Sequence, residues 1–164
     1  MTASKISEML RAFGYEVRQE AETEGVFNCT LSGGALEIVF AAARCTSEVC
    51  SVGILLGVLG AARPSSRYSL LIDALELNFQ HDLARISLFR IPPDDEDEEN
   101  ANSAVFVAET SFFWPDLTKE KLDRRMKAIV RLAYAFSQTL ASRDAMVTSN
   151  PWYERLRGQD AATS

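Results

Sequence analysis

Histidine is almost missing from this chain: 164 residues contain one, His81. An imidazole base therefore has one candidate, and a zinc site built on histidine has no second ligand. Cysteine is scarce too, with only Cys29, Cys45 and Cys50. The last two stand in C-x4-C rather than C-x-x-C spacing, and no further pair completes a zinc site. They read first as unlinked thiols packed like small apolar side chains, and second as a disulfide across a strand entry. Long apolar runs are lacking: the longest uncharged stretch, Val49 to Ala62, is 14 residues, short of the roughly 18 a membrane span needs. The first twenty residues carry charges throughout and lack the apolar centre of a secretory signal. The expectation is a cytoplasmic protein without membrane contact. Phosphate-binding motifs are also absent, since there is no G-x-x-x-x-G-K-[ST] loop and no G-x-G-x-x-G after a strand. Gly53, Gly57 and Gly60 lie inside the apolar run and read as points of close packing or strand bending.

Hydrophobic side chains make up 47% of the residues and charged ones 24%, the composition of an ordinary globular domain. A chain of this size can bury roughly 70% of its unfolded surface and needs neither metal nor disulfide to fold. The formal net charge is -6, from 17 basic and 23 acidic residues. That balance speaks against nucleic acid and against an anionic membrane, both of which are bound through clustered Lys and Arg. The acidity is local: Asp94 to Glu99 are six consecutive acids, and without them the body is formally neutral. These acids repel one another, lack the alternating ligands and glycine of a calcium loop, and predict a mobile, solvated loop over residues 92–103.

The periodicities give an order of helix, three strands, helix, two strands, helix. Ile6, Met9, Leu10 and Phe13 share a helical face ended by Gly14. Phe27, Cys29 and Leu31, then Leu36, Ile38 and Phe40, alternate about Ser32, Gly33 and Gly34 as a hairpin. The Val49 to Leu59 segment is apolar on both faces, as in a central strand covered twice or lying at an interface. Pro64 to Ser66 open a second helix with a stripe of Tyr68, Leu71, Ile72, Leu75 and Phe79, ending near His81. Ala84 to Ile91 and Ala104 to Trp114 are strands. Thr118 caps the last helix, with Leu117 and Leu122 as a hydrophobic staple, and Leu122, Met126, Ile129, Val130, Ala133, Phe136 and Leu140 form its apolar face. Its outer face is basic: Lys119, Lys121, Arg124, Arg125, Lys127 and Arg131. Asn150 and Pro151 cap a further short turn with Trp152, Tyr153 and Leu156 before a disordered tail. The fold class is α+β, an antiparallel twisted sheet packed with helices. Residues 1–147 form the single domain and 148–164 the terminal turn and tail.

Few residues offer chemistry. His81 sits at a helix end beside Asp82, where it interacts with terminal carbonyls. Asp73 and Glu76 lie on a solvated helix face. Glu109 shares a strand face with Val105, Val107 and Phe113, so its charge requires either a raised pKa or a basic partner. Phe112, Phe113 and Trp114 put large rings on both faces of a strand end, as core or as a partner anchor. The basic helix face is solvated, or else meets an acidic peptide or the acidic loop.

Four stretches resemble the YbjN family: FGYEV at 13–17, the C-x4-C with SVGILL at 45–56, LNFQHDLARISLF at 77–89 including Asn78, and FVAETSFFWPDLTKEKL at 106–122 with Leu117 and Thr118. The resemblance spans residues 5 to 141. It implies a regulator of bacterial sensory transduction with a fold similar to type III secretion chaperones, often dimeric, without established catalysis or cofactor and without functional residues to transfer. Two features depart from the family pattern: the acidic insertion at Asp94 to Glu99, and Gly53 and Gly57 where bulky residues are usual. The resulting expectation is a non-enzymatic, chaperone-like homodimer with no cofactor that binds another protein through apolar surface, with Ile54, Leu56, Leu71, Leu75, Phe112 and Trp114 as the candidate surface. The alternative is a small-ligand binder or enzyme using Glu109 or His81, a reading that fails if those two side chains lie far apart and no enclosed pocket of about 300 Å³ or more is present.

Overall fold

The structure is a computed structural model that describes residues 3–19, 27–33, 38–46, 48–90 and 104–146, with side chains left undescribed at 3–6, 19, 27–44 and 114. Helix α1 (Ala3–Ala12) leads into β1 (Tyr15–Gln19), followed by β2 (Phe27–Gly33), β3 (Ile38–Cys45) and β4 (Val49–Val58). Helix α2 (Pro64–Gln80), strands β5 (Arg85–Arg90) and β6 (Ala104–Phe113), and helix α3 (Lys119–Ala141) complete the order. All six strands join one antiparallel sheet in the order β1-β2-β3-β4-β6-β5. This is the expected α+β class with one more strand: the five residues of β1 were too short to show an alternation, and their pairing with β2 comes from tertiary context.

Local chemistry sets the boundaries. Gly14 takes a left-handed φ of 93° and turns the chain from α1 into β1. Pro64 occupies the first turn of α2, where its missing N–H costs nothing. Thr118 caps α3 by accepting from the Lys121 N–H at 3.2 Å. The β2–β3 hairpin is present, with β3 running further than the expected strand; its turn, residues 34–37, lies outside the described residues, as do the 92–103 loop and the 148–164 segment.

The core lies on one side of the sheet. Along β4, Cys50, Val52, Ile54 and Leu56 are buried, and along β6 Phe106, Ala108 and Phe112 face the same way. Against them α3 packs Leu122, Met126, Ile129, Leu132, Ala133, Phe136 and Leu140, with the Phe106 and Phe136 rings edge to face at 5.0 Å. Helix α2 packs on α3 and β5, burying Leu70 and Ala74. The ion pair Arg143–Asp73, at 2.6 Å, ties α2 to the chain leaving α3.

Two features of β4 differ from a simple strand. A bulge between Leu55 and Gly57 shifts its register with β6. Gly57 then forms a bridge with Met146, and the Val58 N–H donates to the Ala145 carbonyl at 3.0 Å. A Cβ on Gly57 would collide with that carbonyl oxygen, so close backbone approach explains the glycine. Cys45 and Cys50, opposite each other across β3 and β4, form a disulfide. This corrects the first reading of them as unlinked thiols, because cross-strand register brings two residues five apart into direct opposition.

Candidate functional site

The candidate surface is divided by strand alternation. Ile54, Leu56 and Phe112 are 2%, 0% and 5% exposed and sit in the core beneath the helices, so they offer no binding surface. The expectation placed Ile54 and Leu56 on the surface because Val49 to Leu59 is apolar on both faces, and Phe112 because large rings stand on both faces of its strand end. Only one face of that segment is covered by described residues, and the outward residues are Val49 and Leu55. Leu71 is half-buried against the core. Leu75 is 54% exposed, and the side chain of Trp114 is outside those described.

Helix α2 carries the most exposed apolar side chains. Tyr68, Leu75 and Phe79 lie at i, i+7 and i+11, and Phe79 is 91% exposed. The expected stripe of α2 points largely away from the core, since Leu70 and Ala74 make the inward contact. A second apolar area lies on the sheet face that no described residue covers, where Val49 is paired with Phe113 and Leu55 with Val107. On the edge strand, Phe89 is paired with Val105 and lies on this same face, whereas Leu88, also exposed, is paired with Phe106 and lies on the opposite one. These exposed residues are the ones that patterning alone could not assign, since an outward apolar stripe has the same period as an inward one.

Polar groups gather where the 81–84 turn meets β6 and α3. Glu109 is held by Arg85, whose Nε donates to Oε1 at 2.6 Å, and by the Ser87 hydroxyl at 2.5 Å. Its side chain is 15% exposed while that of Arg85 is 69% exposed, so of the two alternatives the basic partner is present. The Thr110 hydroxyl donates to the Leu83 carbonyl at 2.6 Å and accepts from Arg125 at 3.5 Å. His81 and Glu109 line one open cleft of about 440 Å³ together with Asn78, Arg85 and Arg125. The two residues of the alternative reading therefore line the same cleft, which is open rather than enclosed. The hydroxyls on this wall are engaged elsewhere, Thr110 with Leu83 and Ser111 with Ser51 at 2.8 Å, and the carboxylate is spoken for by Arg85 and Ser87.

A larger cleft of about 560 Å³ lies between His81, Asp82 and Leu83 on one side and Glu120, Asp123, Arg124, Lys127, Ala128 and Arg131 of α3 on the other. Glu120, at the start of the helix, has its pKa lowered by its own backbone N–H and by the Thr118 hydroxyl. Asp123 has one oxygen sealed from solvent with no hydrogen-bond partner among the described residues. Its charge adds to burial in pushing the Tyr15 hydroxyl up to about 12. Among the described residues no group of three or more His, Cys, Asp and Glu side chains could hold a metal ion, and no helix is long and apolar enough to cross a membrane.

Comparison with known proteins agrees with this architecture. The crystal structure of YbjN from E. coli, a proposed transcription regulator, superposes with a TM-score of 0.56 over 90% of this chain and 96% of its own, at 13% identity. The chain shares its fold with YbjN. An uncharacterized protein from Methanothermobacter thermautotrophicus matches with a TM-score of 0.59, over 88% of this chain and all of its own, at 12% identity. No family model and no curated protein matches the sequence. At these identities the likeness establishes the fold and leaves function to the side chains.

Proposed function

We propose that this protein is a non-enzymatic interaction module that binds a partner protein through the outward apolar face of α2 and acts as a homodimer. One observation carries the reading: Tyr68, Leu75 and Phe79 stand exposed along one side of a helix whose opposite side already packs in the core. Each fully exposed large apolar side chain forgoes about 1.5–3 kcal/mol of burial, and contiguous exposed apolar surface marks association sites. The fold it shares with YbjN, a proposed transcription regulator, is compatible with a regulatory role. The engagement of Glu109 by Arg85 and Ser87 supports a structural rather than an acid-base role for that carboxylate.

Sedimentation equilibrium at micromolar concentration tests the assembly. The expected result is a dimer for the native chain and a monomer for the Leu75→Glu, Phe79→Glu double variant, with unchanged thermal stability. A monomeric native chain would remove the homodimer from this reading. A photo-crosslinker at position 79, used in native cell extract, tests the partner. Crosslinks to one protein, lost when the crosslinker stands instead at the solvated Glu76, support it.

A further inference from the structure

We propose that the cleft where the end of β6 meets the first two turns of α3 binds a small organic acid, its anionic group held by α3 and its apolar body by the β6 side. Three cations of α3 line this cleft: Lys121, Arg124 and Arg125. They stand at i, i+3 and i+4, so one helix face presents them within about 6 Å at 1.5 Å per residue. Asp116 is the one carboxylate among the described lining residues. Arg124 also borders the neighbouring cleft, which holds Glu120 and Asp123. With Arg124 left out of the count, two cations still face one carboxylate. None of the three cations has an ion pair among the described residues. Arg125, half-buried, is steadied by its donation to the Thr110 hydroxyl at 3.5 Å.

The rest of the described lining is apolar: Leu83, Leu117 and the Phe112–Phe113 end of β6. Beside such a wall water is partly excluded, and opposite charges attract more strongly than in bulk solvent. The two guanidinium groups offer paired donors that match the oxygens of a carboxylate, and the Lys121 ammonium adds a point charge. A neutral apolar ligand would leave these cations without a counter-charge, and a bare inorganic anion would leave the apolar wall wet. The volume of about 320 Å³ lies at the lower end of the roughly 300–1,000 Å³ of small-molecule sites, which suits one compact molecule better than a protein segment. None of the described lining residues belongs to α2, so binding here does not depend on the partner surface formed by Tyr68, Leu75 and Phe79.

Titration of the full chain with cinnamate, followed by amide NMR shifts, tests this, with the uncharged cinnamamide as the matched probe. Saturable shifts centred on residues 112–113, 117 and 121–125 are expected, with cinnamate bound about tenfold more tightly than the amide. The Lys121→Gln, Arg124→Gln double variant should lower cinnamate affinity about tenfold. Lys127→Gln, further along α3 and outside this lining, should leave it unchanged. All three positions are exposed, so the variants should stay folded, and their circular dichroism checks this. Absence of saturation, equal affinity for the two probes, shifts centred instead on Tyr68, Leu75 and Phe79, or unchanged affinity in the double variant would overturn the proposal. Binding of a peptide of acidic and aromatic residues to this cleft without binding of cinnamate would also overturn it, in favour of a protein segment.

Discussion

Asn78 on α2 grips Ile86 on β5 through both ends of its carboxamide: Nδ2 donates to the Ile86 carbonyl at 2.9 Å, and Oδ1 accepts from the Ile86 N–H at 2.6 Å. Strand β5 is an edge of the sheet, and the outward backbone groups of an edge strand are a template for unwanted pairing. The amide side chain occupies them much as a neighbouring strand would, and it fixes the end of α2 to the sheet that forms the clefts.

Replacing Asn78 with Ala should therefore lower stability by about 1–3 kcal/mol, the cost of leaving partly buried backbone groups without partners. Urea unfolding measures it. A midpoint within error of the native protein would show that water replaces the carboxamide without penalty.

The two glycines of β4 should respond differently to the same change. At Gly57 an added methyl meets the backbone oxygen of Ala145, which cannot yield without moving the bridge to Met146. At Gly53 it meets the Cγ1 atom of Val107 at 3.1 Å, a side chain on the open face. Gly57→Ala should cost at least the roughly 1–3 kcal/mol of an overpacked core, while Gly53→Ala should stay within about 0.5 kcal/mol. Thermal melts of the pair decide it, and equal losses would refute the close-approach explanation.

The disulfide predicts a labelling pattern. Without reductant, the denatured chain should take up one equivalent of a thiol reagent, at Cys29, and three equivalents after reduction, read by mass spectrometry. Because the bridge closes a loop of only about six residues, its chain-entropy contribution is about 2 kcal/mol. The Cys45→Ala, Cys50→Ala variant should remain folded.

Tyr15 sets a limit at high pH. Its pKa rises from 10.0 unfolded to about 12 folded, chiefly through burial and then through the charge of Asp123. Below the unfolded value both states keep the proton and the full stability is present. Between the two values the unfolded chain releases its proton first, so stability falls as pH rises, by up to about 1.4 kcal/mol per pH unit. Unfolding of Tyr15→Phe across this range should lack that part of the slope. At neutral pH the variant should be nearly as stable as the native protein, because the lost hydroxyl has no hydrogen-bond partner among the described residues. Parallel slopes for the two proteins would contradict the assignment.

How far the sequence disclosed these features depends on the kind of signal each carries. Helix α3 was legible almost residue for residue, because Thr118, the Leu117 and Leu122 pair and a long 3.6-residue period all state the same thing. Strand β1 was not, since five residues give too few alternations. For α2 the stripe identified the helix and Leu75 of it stands exposed, but the period alone does not tell core from exposed face when both sides are apolar, as with Leu70 against Leu75. Ile54, Leu56 and Phe112 were misplaced for the same reason on a strand. For Glu109 the sequence left open a raised pKa or a basic partner, and only the register of β5 with β6 revealed the partner as Arg85. Asn78 stood out as part of a recurring motif, but its task depends on a contact between two elements that no local pattern encodes.

Strand β4 takes its lid from the far end of the chain. Leu56 lies 84 residues ahead of Leu140, one of the α3 side chains that cover the sheet. During synthesis at about 5–20 residues per second, the apolar face of β4 therefore emerges roughly 4 to 17 s before the end of α3 exists. Through that interval Cys50, Val52, Ile54 and Leu56 lack the full cover that α3 gives them. The apolar face of β4 is thus least protected while the final helix is still being made.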